Sequence, residues 1–477
     1  MKKYSTFLFV MIWACALNAQ PFSSFPPDSL TAKTDRDQML WQLGIVLPQL
    51  PSPDNDPNRP PHIKSNDNGN WTDDNGYLPN SPVGYLITRT EFGLWLNYIE
   101  EPEKTGIYTP VNLLKTISGE NVETPEQWWK IRRPELEKSV KEEIWGIIPD
   151  AAHQLKINWN IENAATADSA YGRFTQQIIT GNVDISSYPE LKHQPKITGR
   201  LYLPENAVNA PVIIQYAWLQ WQPHPTYLKE CISRGWGFLQ LDCNAIQPDN
   251  GQFLTDYVIG LVNKGNWRKP SDWGTLAAWS WGVSRLIDFF ENYDAVDAKR
   301  IGITGHSRYG KAALVTAAYE TRIAVAYVSC SGAAGAAPMR RNWGQSIESV
   351  MWHTEYHWLA GNFMKWCGSL DENGYLPRKT EKLPVDAHAL LAMCAPRPVF
   401  VTGGTNDNWC DPLGMFLTTR NASPAYELLG VAGLATDETT PLPDKPYMNG
   451  NLAYRLHIGG HVDFLDWALF AAWTEKK

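Results

Sequence analysis

Short apolar runs alternate with longer amphipathic segments beyond about residue 195 of the chain. The apolar runs have strand length and are bounded by Gly, Pro or polar residues, whereas the amphipathic segments have helical periodicity. The predicted strands are Ile197–Leu203, Pro211–Leu219, Gly235–Asp242, Arg300–Thr304, Ile323–Ser329, Pro398–Thr402 and Leu452–Ile458. The predicted helices are Trp273–Glu291 and Lys311–Tyr319. Apolar strands that alternate with helices are typical of a parallel sheet covered on both faces. We therefore predict an α/β fold, a three-layer sandwich with a mostly parallel central sheet.

The N-terminal part of the chain has a different pattern. Residues 50–82 are dense in Pro, Asn, Asp and Gly, which favours an irregular surface segment. Thr124 is followed by Pro125 and, three residues on, by Gln127, which is the pattern of a capped helix N-terminus. The sequence thus divides into a targeting segment over residues 1–19, an N-terminal extension over 20–120 that packs on the main body, and an α/β domain over 121–477.

The first 19 residues have the pattern of a secretory signal peptide. Lys2 and Lys3 precede the apolar run Phe7–Trp13, and small residues follow up to Ala19, where we expect cleavage. Lipid attachment at Cys15 is the alternative. No other stretch has the roughly 18 apolar residues needed to span a bilayer. We expect a monomer that is secreted or periplasmic.

Composition and charge argue against several classes of function. The 42 Lys and Arg residues against 50 Asp and Glu residues give a net charge of −8, which argues against nucleic acid as a partner. No phosphate loop or dinucleotide fingerprint is present, so we expect no cofactor. Of the 7 Cys residues none forms a CxxC pair, so we expect no metal site. The 22 Trp residues are a surplus, and part of it could line a surface for ring-shaped ligands.

The segment around Ser307 carries the main chemical signal. A predicted strand ends in Gly305-His306-Ser307-Arg308-Tyr309-Gly310, and a predicted helix begins at once. Small residues beside a serine at a strand-to-helix turn are what a nucleophile elbow requires, and the helix N-terminus can stabilise an oxyanion. The pattern departs from G-x-S-x-G because the second glycine is delayed by one residue. An ordinary helix N-cap serine is the alternative.

A nucleophilic serine needs a histidine base and an acid, which follow it in the chain order Ser, acid, His in this type of fold. His461 lies directly after the last predicted strand, and His306, His353, His357, His388 and His457 compete with it less well by position. Asp407 lies three residues after Gly404, within reach of the end of the strand Pro398–Thr402. Asp411 is the other candidate acid, although its position before Pro412 also suits a turn or cap. We favour Asp407.

Several motifs together resemble the glucuronoyl methylesterases of carbohydrate esterase family 15, of the bacterial type, which are α/β-hydrolases. The resemblance extends from about Asp35 to the C-terminus. The motifs that carry it are GHSRYGK, RPELEKSVKEEIWGIIP, LPVDAHALLAMCAPRPV, DNWCDP and GGHVDFLDW. The resemblance implies a serine esterase that cleaves the ester between (4-O-methyl-)glucuronic acid of glucuronoxylan and lignin-type alcohols. An acetyl or other carbohydrate esterase with the same triad, or an inactive carbohydrate-binding homologue, is the alternative.

The resemblance also implies roles for residues around the elbow. Arg308 would help to form the oxyanion hole, Lys311 would contact hydroxyls of the uronic acid, and Trp409 would line the sugar site. Glu355 could accept a ring hydroxyl, and Trp358 could face the same cleft.

One position departs from the family pattern. Many members carry a Glu after the sixth strand, where this chain has Cys330, so the acid must come from the loop of Asp407. Cys330 and Cys410 both follow strands at the same end of the predicted sheet, and a disulfide between them is conceivable. The preferred alcohol and the need for the 4-O-methyl group stay open.

Overall fold

A ten-stranded sheet forms the centre of the computed structural model. The structure describes residues 22–45, 64–65, 71–72, 105, 108–345, 347–351, 354–367, 369–371, 374–376 and 379–477. The described strands are β1 Lys64–Ser65, β2 Trp71–Thr72, β3 Ile157–Ser169, β4 Gly172–Val183, β5 Lys196–Pro204, β6 Ala210–Ala217, β7 Gly237–Asp242, β8 Val296–His306, β9 Ile323–Ser329, β10 Ser369–Asp371, β11 Gly374–Leu376, β12 Val399–Gly404, β13 Pro446–Tyr447 and β14 Leu452–His457.

The strand order in this sheet is β13-β14-β12-β9-β8-β6-β7-β5-β4-β3. Neighbouring strands from β14 to β7 pair in parallel, whereas β13 at one edge and β5, β4 and β3 at the other pair antiparallel. The predicted α/β fold with a mostly parallel central sheet is confirmed. Because β8, β9, β12 and β14 are parallel neighbours, the loops that follow them emerge at one edge of the sheet.

Helices cover both faces of this sheet. The described α-helices are α1 Ala32–Gln42, α2 Pro125–Gln127, α3 Arg133–Val140, α4 Asp150–His153, α5 Pro225–Ile232, α6 Cys243–Ile246, α7 Tyr257–Asn263, α8 Thr275–Phe290, α9 Arg308–Tyr319, α10 Ile347–Val350, α11 Ala387–Met393, α12 Pro412–Asn421, α13 Ser423–Leu428 and α14 Trp467–Thr474. The apolar residues of α8, α9, α11 and α12 belong to the larger core. Those of α5 and α14 form a second core with the opposite side chains of the strands. Tryptophan fills much of both cores, since Trp128, Trp145, Trp273, Trp279, Trp281, Trp358 and Trp467 are all almost completely buried.

The long hairpin of β3 and β4 is absent from the predicted elements. Its two strands pair antiparallel from Ile157 with Val183 to Ser169 with Gly172. Burial along β4 is incomplete, because this edge of the sheet lies partly in solvent. The apolar runs of the central strands are therefore missing here, although alternating apolar and polar residues such as those of Ile157–Ile161 are a strand signal in themselves.

The predicted helix start at Thr124 is confirmed. The Thr124 hydroxyl accepts from the Gln127 N–H at 3.2 Å, and the Gln127 side chain accepts from the Thr124 N–H at 3.0 Å, which is a capping box. Two π-helical turns, Trp128–Arg132 and Lys141–Trp145, interrupt the helical segment that follows.

The described part of the N-terminal extension contacts the main body through α1. Arg36 Nε donates to the carbonyl of Met351 at 2.7 Å, and the buried carboxylate of Asp35 accepts from the Tyr356 hydroxyl. The predicted signal peptide and most of residues 50–82 lie outside the described residues. Within the described part of the chain, no helix has the length and apolar character that crossing a membrane requires.

Candidate active site

Four residues of interest follow four neighbouring strands. Ser307 comes directly after β8, Cys330 directly after β9, Asp407 three residues after β12 and His461 four residues after β14. Parallel strands in register bring these loops together, since Ser329 is paired with His306 on one side and with Thr402 on the other. In open α/β sheets ligands bind outside the carboxyl ends of the strands, so this edge is the candidate site.

Ser307 lies at a sharp turn with a strained backbone. Its φ of 60° and ψ of −125° are unfavourable for a residue with a side chain. The turn requires glycine at positions 305 and 310, because a Cβ atom at either position would clash with the backbone. A Cβ on Gly305 would lie 2.0 Å from the Tyr309 carbonyl oxygen, and one on Gly310 would lie 2.6 Å from the Ser329 carbonyl oxygen. The delayed second glycine therefore serves the close packing of α9 on β9, and Ser307 has the geometry of a nucleophile elbow.

His461 and Asp407 form a close pair beside this turn. Asp407 Oδ2 lies 2.7 Å from His461 Nδ1, and the Asp407 side chain is buried whereas His461 is partly exposed. The ring of His306, the residue before Ser307, lies 4.3 Å from the ring of His461 between centroids. Burial, reinforced by the neighbouring histidines, holds the pKa of His306 well below its usual value. His306 therefore presents a neutral ring to His461.

Asp411 has a different partner from Asp407. Its buried side chain forms an ion pair with Arg341 and accepts from the Gly414 N–H at 3.0 Å, so it caps α12. The two candidate acids are thus separated by the structure: one contacts the histidine and the other anchors a helix.

The competing histidines that the structure describes have other partners. His457 lies between Asp466 Oδ2 at 2.8 Å and the Gly460 carbonyl at 2.9 Å. His388 contacts the Val111 carbonyl at 2.8 Å. His353 lies outside the described residues.

Two buried thiols adjoin the His461–Asp407 pair. Cys410 Sγ lies 3.6 Å from His461 Nδ1 and 3.0 Å from the Cys330 carbonyl oxygen. Both cysteines are free, so the structure does not contain the conceivable disulfide between them. The Cys410 thiol instead satisfies a backbone carbonyl, and burial together with the charge of Asp407 raises the pKa of both thiols well above the usual range.

Asp249 contacts three side chains near the elbow, and no sequence pattern indicated that it belongs to the site. Its carboxylate accepts from Arg308 Nη1 at 2.8 Å, from Trp358 Nε1 at 2.6 Å and contacts His357 Nε2 at 2.8 Å. Burial alone would raise the pKa of Asp249, but the contacts with His357, Arg308 and Trp358 bring it below its usual value. Asp249 therefore fixes the side chain of Arg308 beside the elbow.

Lys311, which is buried, and Glu355, which is half-buried, are ionisable groups near the elbow. Lys311 lies one helical turn after Ser307, and its ammonium group donates to the Ser331 carbonyl at 2.5 Å and the Ala333 carbonyl at 2.6 Å. Burial lowers the pKa of Lys311 to about 8. Burial raises the pKa of Glu355 to about 7, although the charges of Lys311 and Arg308 oppose this shift. Gln345 Nε2 donates to Glu355 Oε2 at 3.0 Å, a contact that no sequence pattern indicated.

The two tryptophans predicted for the sugar site have different environments. Trp358 is only 2% exposed, so it does not line an open cleft as predicted. Its ring lies under the Arg308 guanidinium at 5.1 Å and the Lys311 ammonium at 5.8 Å, and Asp249 satisfies its N–H, so these contacts hold it in the core. Trp409 is half-buried next to Asp407, and its carbonyl accepts from the Gln345 N–H at 2.8 Å.

An aromatic cleft of about 520 Å³ adjoins Ser307. Its lining includes Ser307, Arg308, Trp218 and Trp221. The two indole rings lie 4.8 Å apart between centroids, and Trp221 is 61% exposed. The sequence analysis missed this cleft, although the spacing of the two tryptophans directly after an apolar strand is visible in the sequence.

The sheet topology, the elbow and the adjoining His461–Asp407 pair are those of an α/β-hydrolase. Comparison with known proteins narrows this class. A family model described as glucuronyl esterase of fungi matches residues 192–430, which is half of the chain. The carbohydrate esterase MZ0003, from an unknown prokaryotic organism, is 29% identical over 414 residues, covering 77% of this chain and 89% of that protein.

Two further relatives agree with this match. The 4-O-methyl-glucuronoyl methylesterase of Hypocrea jecorina is 35% identical over 197 residues, or 38% of this chain and 40% of that protein. The solved structure of a family 15 glucuronoyl esterase from Teredinibacter turnerae T7901 is 30% identical with a TM-score of 0.74, covering 94% of this chain and 99% of that one. The chain belongs to the glucuronoyl esterases of carbohydrate esterase family 15. It is accordingly a carboxylic ester hydrolase, and the resemblance found in the sequence is confirmed.

Proposed function

We propose that the protein hydrolyses the ester bond between (4-O-methyl-)glucuronic acid of glucuronoxylan and a lignin-type alcohol, with Ser307 as nucleophile, His461 as base and Asp407 as the acid. Relatives named glucuronoyl esterases and 4-O-methyl-glucuronoyl methylesterases support the glucuronoyl part of this substrate. The observation that carries the proposal is the buried Lys311 one helical turn after the elbow serine, with the half-buried Glu355 close enough for their charges to interact, because two such groups suit a ring rich in hydroxyls.

The reaction is an acyl transfer in two steps. His461 Nε2 takes the proton of Ser307 Oγ, which attacks the ester carbonyl, and the alcohol leaves with that proton. Water then attacks the acyl-enzyme, with His461 again as base, and releases the uronic acid. The 2.7 Å contact between Asp407 and His461 Nδ1 supports this assignment because a carboxylate at this distance can accept the second N–H of the imidazolium.

The oxyanion is stabilised by the start of α9. The N–H groups of the first turn point towards the elbow, and the Arg308 guanidinium adds a positive charge there. The ion pair with Asp249 at 2.8 Å supports this role, since a fixed cation needs no reorganisation when charge develops.

The uronic acid ring binds on the side of Lys311, Glu355 and Trp409. An ammonium group has three donors, and two of those of Lys311 are used by the carbonyls of Ser331 and Ala333. The third donates to a ring hydroxyl, and the carboxylate of Glu355 accepts from another. Trp358 acts beneath these residues by keeping the two cations in place.

The alcohol binds in the aromatic cleft of Trp218 and Trp221. The lining of this cleft includes the end of β6, the loop that follows it and Ser307, and it does not include Trp409. Exposed indole faces stack well on aromatic rings, which supports a lignin-type alcohol as the leaving group.

A panel of esters tests the proposal. Benzyl and methyl esters of glucuronic acid should be hydrolysed much faster than galacturonate esters or an acetyl ester. Ser307→Ala should lower the rate on the best substrate by at least about 10³-fold. Lys311→Met should raise KM for the glucuronate ester with little effect on the acetyl ester. Equal losses on both esters would contradict the role of Lys311, and faster hydrolysis of the acetyl ester by the unaltered protein would contradict the substrate.

The aromatic cleft has its own test. Trp221→Ala should reduce kcat/KM for the benzyl ester more than for the methyl ester, because only the former has a ring for the cleft. Trp129→Ala is the matched control, since Trp129 is also exposed at 46% but lies in the π-helical turn before α3. An equal effect of Trp221→Ala on both esters would place the alcohol elsewhere.

We also propose that the protein is exported through residues 1–19 and acts as a monomer. The positively charged start followed by Phe7–Trp13 supports export. Cell fractionation, N-terminal sequencing and light scattering test the location, the cleavage after Ala19 and the mass. Membrane attachment that is lost in Cys15→Ala would instead support a lipid anchor.

A further inference from the structure

Two thiols that the proposed hydrolysis does not use lie beside His461 and Asp407. Cys330 Sγ, a carboxylate oxygen of Asp407 and a ring nitrogen of His461 all lie within 4.8 Å of one another. Cys410 Sγ lies 3.6 Å from His461 Nδ1 and is also within hydrogen-bonding reach of the Asp407 carboxylate. We call Cys330, Asp407, Cys410 and His461 the thiol cluster. Among the described residues, this cluster contains the one group of three side chains with a metal-ligand arrangement.

The ligand types of the thiol cluster select a particular kind of ion. Two sulfurs, one imidazole and one carboxylate form a set of four that suits tetrahedral Zn²⁺ and the softer Cd²⁺, and does not suit Mg²⁺ or Ca²⁺. Bond lengths of about 2.0–2.3 Å to zinc require ligand atoms about 3.3–3.8 Å apart. The contact of 3.6 Å between Cys410 and His461 already meets this requirement.

The remaining distances must change for four ligands to meet at one ion, because Cys410 Sγ does not belong to the group of three ligand atoms that lie within 4.8 Å of one another. The Asp407–His461 contact of 2.7 Å must open by under 1 Å to about 3.3 Å, and the longer separations must close. Cys330 directly follows β9 and has a left-handed φ of 44°, and its Sγ donates to the carbonyl of Val462, the residue after His461, at 3.7 Å, a contact that the thiol gives up when it binds the ion. The ring of His461 is partly exposed, with 18% of its side chain accessible, so the ion can approach it from solvent.

We propose that the thiol cluster is an inhibitory binding site for a thiophilic divalent cation such as Zn²⁺. The cation binds both thiolates, Asp407 and His461 Nδ1. The two thiols release one proton each, so that Zn²⁺ and two Cys–SH give a zinc dithiolate and two H⁺. No oxidant or reductant is involved, because the sulfur atoms keep their oxidation state.

Inhibition follows from the protonation of the imidazole. A neutral imidazole has one N–H and one acceptor nitrogen. When the cation occupies the lone pair of Nδ1, the proton moves to Nε2, which is the nitrogen that must accept the proton of Ser307. His461 then no longer acts as a base, and Asp407 is withdrawn from it by the same ion. This consequence for the rate rests on the proposed function, whereas binding of the cation does not.

Binding is measured on the Ser307→Ala variant with Cd²⁺ as the probe. This variant retains all four ligands, and the binding measurement needs no substrate. After reduction and desalting, one equivalent of Cd²⁺ should produce the ultraviolet charge-transfer absorption of two thiolates. Cys330→Ala or Cys410→Ala in the same background should each remove about half of this absorption and weaken Cd²⁺ binding by at least about 10-fold.

A matched control is Cys231→Ala, because Cys231 is an equally buried thiol in the second core. This variant should keep the full absorption and affinity. No charge-transfer absorption at excess Cd²⁺, or absorption that survives both Cys330→Ala and Cys410→Ala, would overturn the proposed site. If either variant fails to fold, ¹¹³Cd NMR of the Ser307→Ala protein decides: a shift typical of two sulfur ligands supports the site, and one typical of oxygen and nitrogen ligands overturns it.

Hydrolysis by the otherwise unaltered protein tests the consequence. Zn²⁺ should inhibit hydrolysis of the best ester, chelation with EDTA should restore the rate, and Cys410→Ser should need at least about 10-fold more Zn²⁺ for half inhibition. Binding of Cd²⁺ at the cluster without inhibition would show that His461 Nδ1 is not a ligand and would overturn the inhibitory role. A protein that hydrolyses no ester yet binds Cd²⁺ at the cluster would refute the proposed function alone.

Discussion

Asp407 and Asp411 show how the surroundings of a residue decide what its side chain does. Both carboxylates are almost fully buried in the same loop, four residues apart. Asp407 meets the imidazole of His461, whereas Asp411 meets a guanidinium and a helix N-terminus. A negative charge orients and stabilises an imidazolium in one place and anchors a helix in the other.

Substitution of Asp407 or Asp411 by asparagine distinguishes the catalytic role proposed for Asp407 from the structural role of Asp411. Asp407→Asn should lower kcat by about 10³–10⁴-fold with little loss of stability, because the amide favours the wrong imidazole tautomer. Asp411→Asn should instead cost about 3–5 kcal/mol of unfolding free energy, because it leaves the buried charge of Arg341 unpaired. Kinetics on a glucuronate ester and urea unfolding measure the two effects. A larger loss of kcat in Asp411→Asn than in Asp407→Asn would show that Asp411, and not Asp407, is the acid of the triad.

Glu355 gives a prediction for the pH dependence. Its pKa is raised to about 7, so the carboxylate becomes protonated as the pH falls through neutrality. A neutral acid no longer accepts a ring hydroxyl in the same way, and KM for glucuronate esters should therefore rise below about pH 7. Glu355→Gln should have a higher KM at alkaline pH and should lack this rise, while kcat and its pH profile should change little. A KM profile that is unchanged by the substitution would show that Glu355 does not bind the ring.

The elbow is the element that connects the fold to the chemistry. β8 ends at His306 and α9 begins at Arg308, so a single residue makes the whole turn. The cost of the strained backbone at Ser307, about 1–3 kcal/mol, must be offset by the packing of β8 and α9 against their neighbours. Gly305 and Gly310 allow this packing because backbone atoms occupy the space of their missing side chains.

Gly310→Ala tests whether the close packing of α9 on β9 positions Ser307 and Arg308. The added methyl group would lie 2.6 Å from the Ser329 carbonyl oxygen, so α9 must move away from β9 and carry Ser307 and Arg308 with it. We expect kcat to fall by at least about 10²-fold, since a displacement of about 1 Å costs this much in catalysis. Ala312→Gly in the same helix creates no clash, so it should cost about 1 kcal/mol of stability and leave kcat nearly unchanged. Equal effects of the two substitutions on kcat would contradict the role of Gly310.

On the scale of the whole molecule, the N-terminal extension supports the segment that carries Glu355. Helix α1 contacts this segment on both sides, through Met351 before Glu355 and Tyr356 after it. The same segment holds His357 and Trp358, which contact Asp249. A remote helix is therefore connected to the segment of the candidate site that carries Glu355 by a short series of hydrogen bonds.

Asp35→Ala tests this connection. The substitution leaves the buried hydroxyl of Tyr356 without its acceptor and should cost about 1–3 kcal/mol of unfolding free energy. KM for a glucuronate ester should rise, whereas hydrolysis of a small acetyl ester should change less. Lys33→Ala removes an exposed ion pair in the same helix and should change stability by under about 0.5 kcal/mol. A stability loss without any change in KM would show that α1 supports the fold only.

The pattern of apolar and polar residues predicted the central strands and helices well, because elements that are buried in the core contain nearly continuous apolar residues. The strand Ile323–Ser329 and the helix start at Thr124 appear in the structure with the predicted bounds. The edge hairpin of β3 and β4 was missed because it is only half-buried, and half-buried strands alternate rather than run apolar. The exposure of Trp358 was predicted wrongly, since the sequence does not reveal that Asp249, 109 positions away, holds its N–H.

The sequence by itself determined the α/β class, the position of the elbow serine and the order of the serine, the acid and the histidine. The fold class and the elbow depend on neighbouring residues, because a tight turn or a buried strand involves only a few consecutive positions. The order of the three residues is read directly from their positions along the chain. Only the tertiary structure decided which aspartate meets His461, how Asp249 fixes Arg308, and that two thiols converge on the same pair. These features depend on which distant strands become neighbours and on how much water their loops exclude. Burial also sets the raised pKa of Glu355 and the lowered pKa of Lys311, since the cost of a charge is a property of its surroundings.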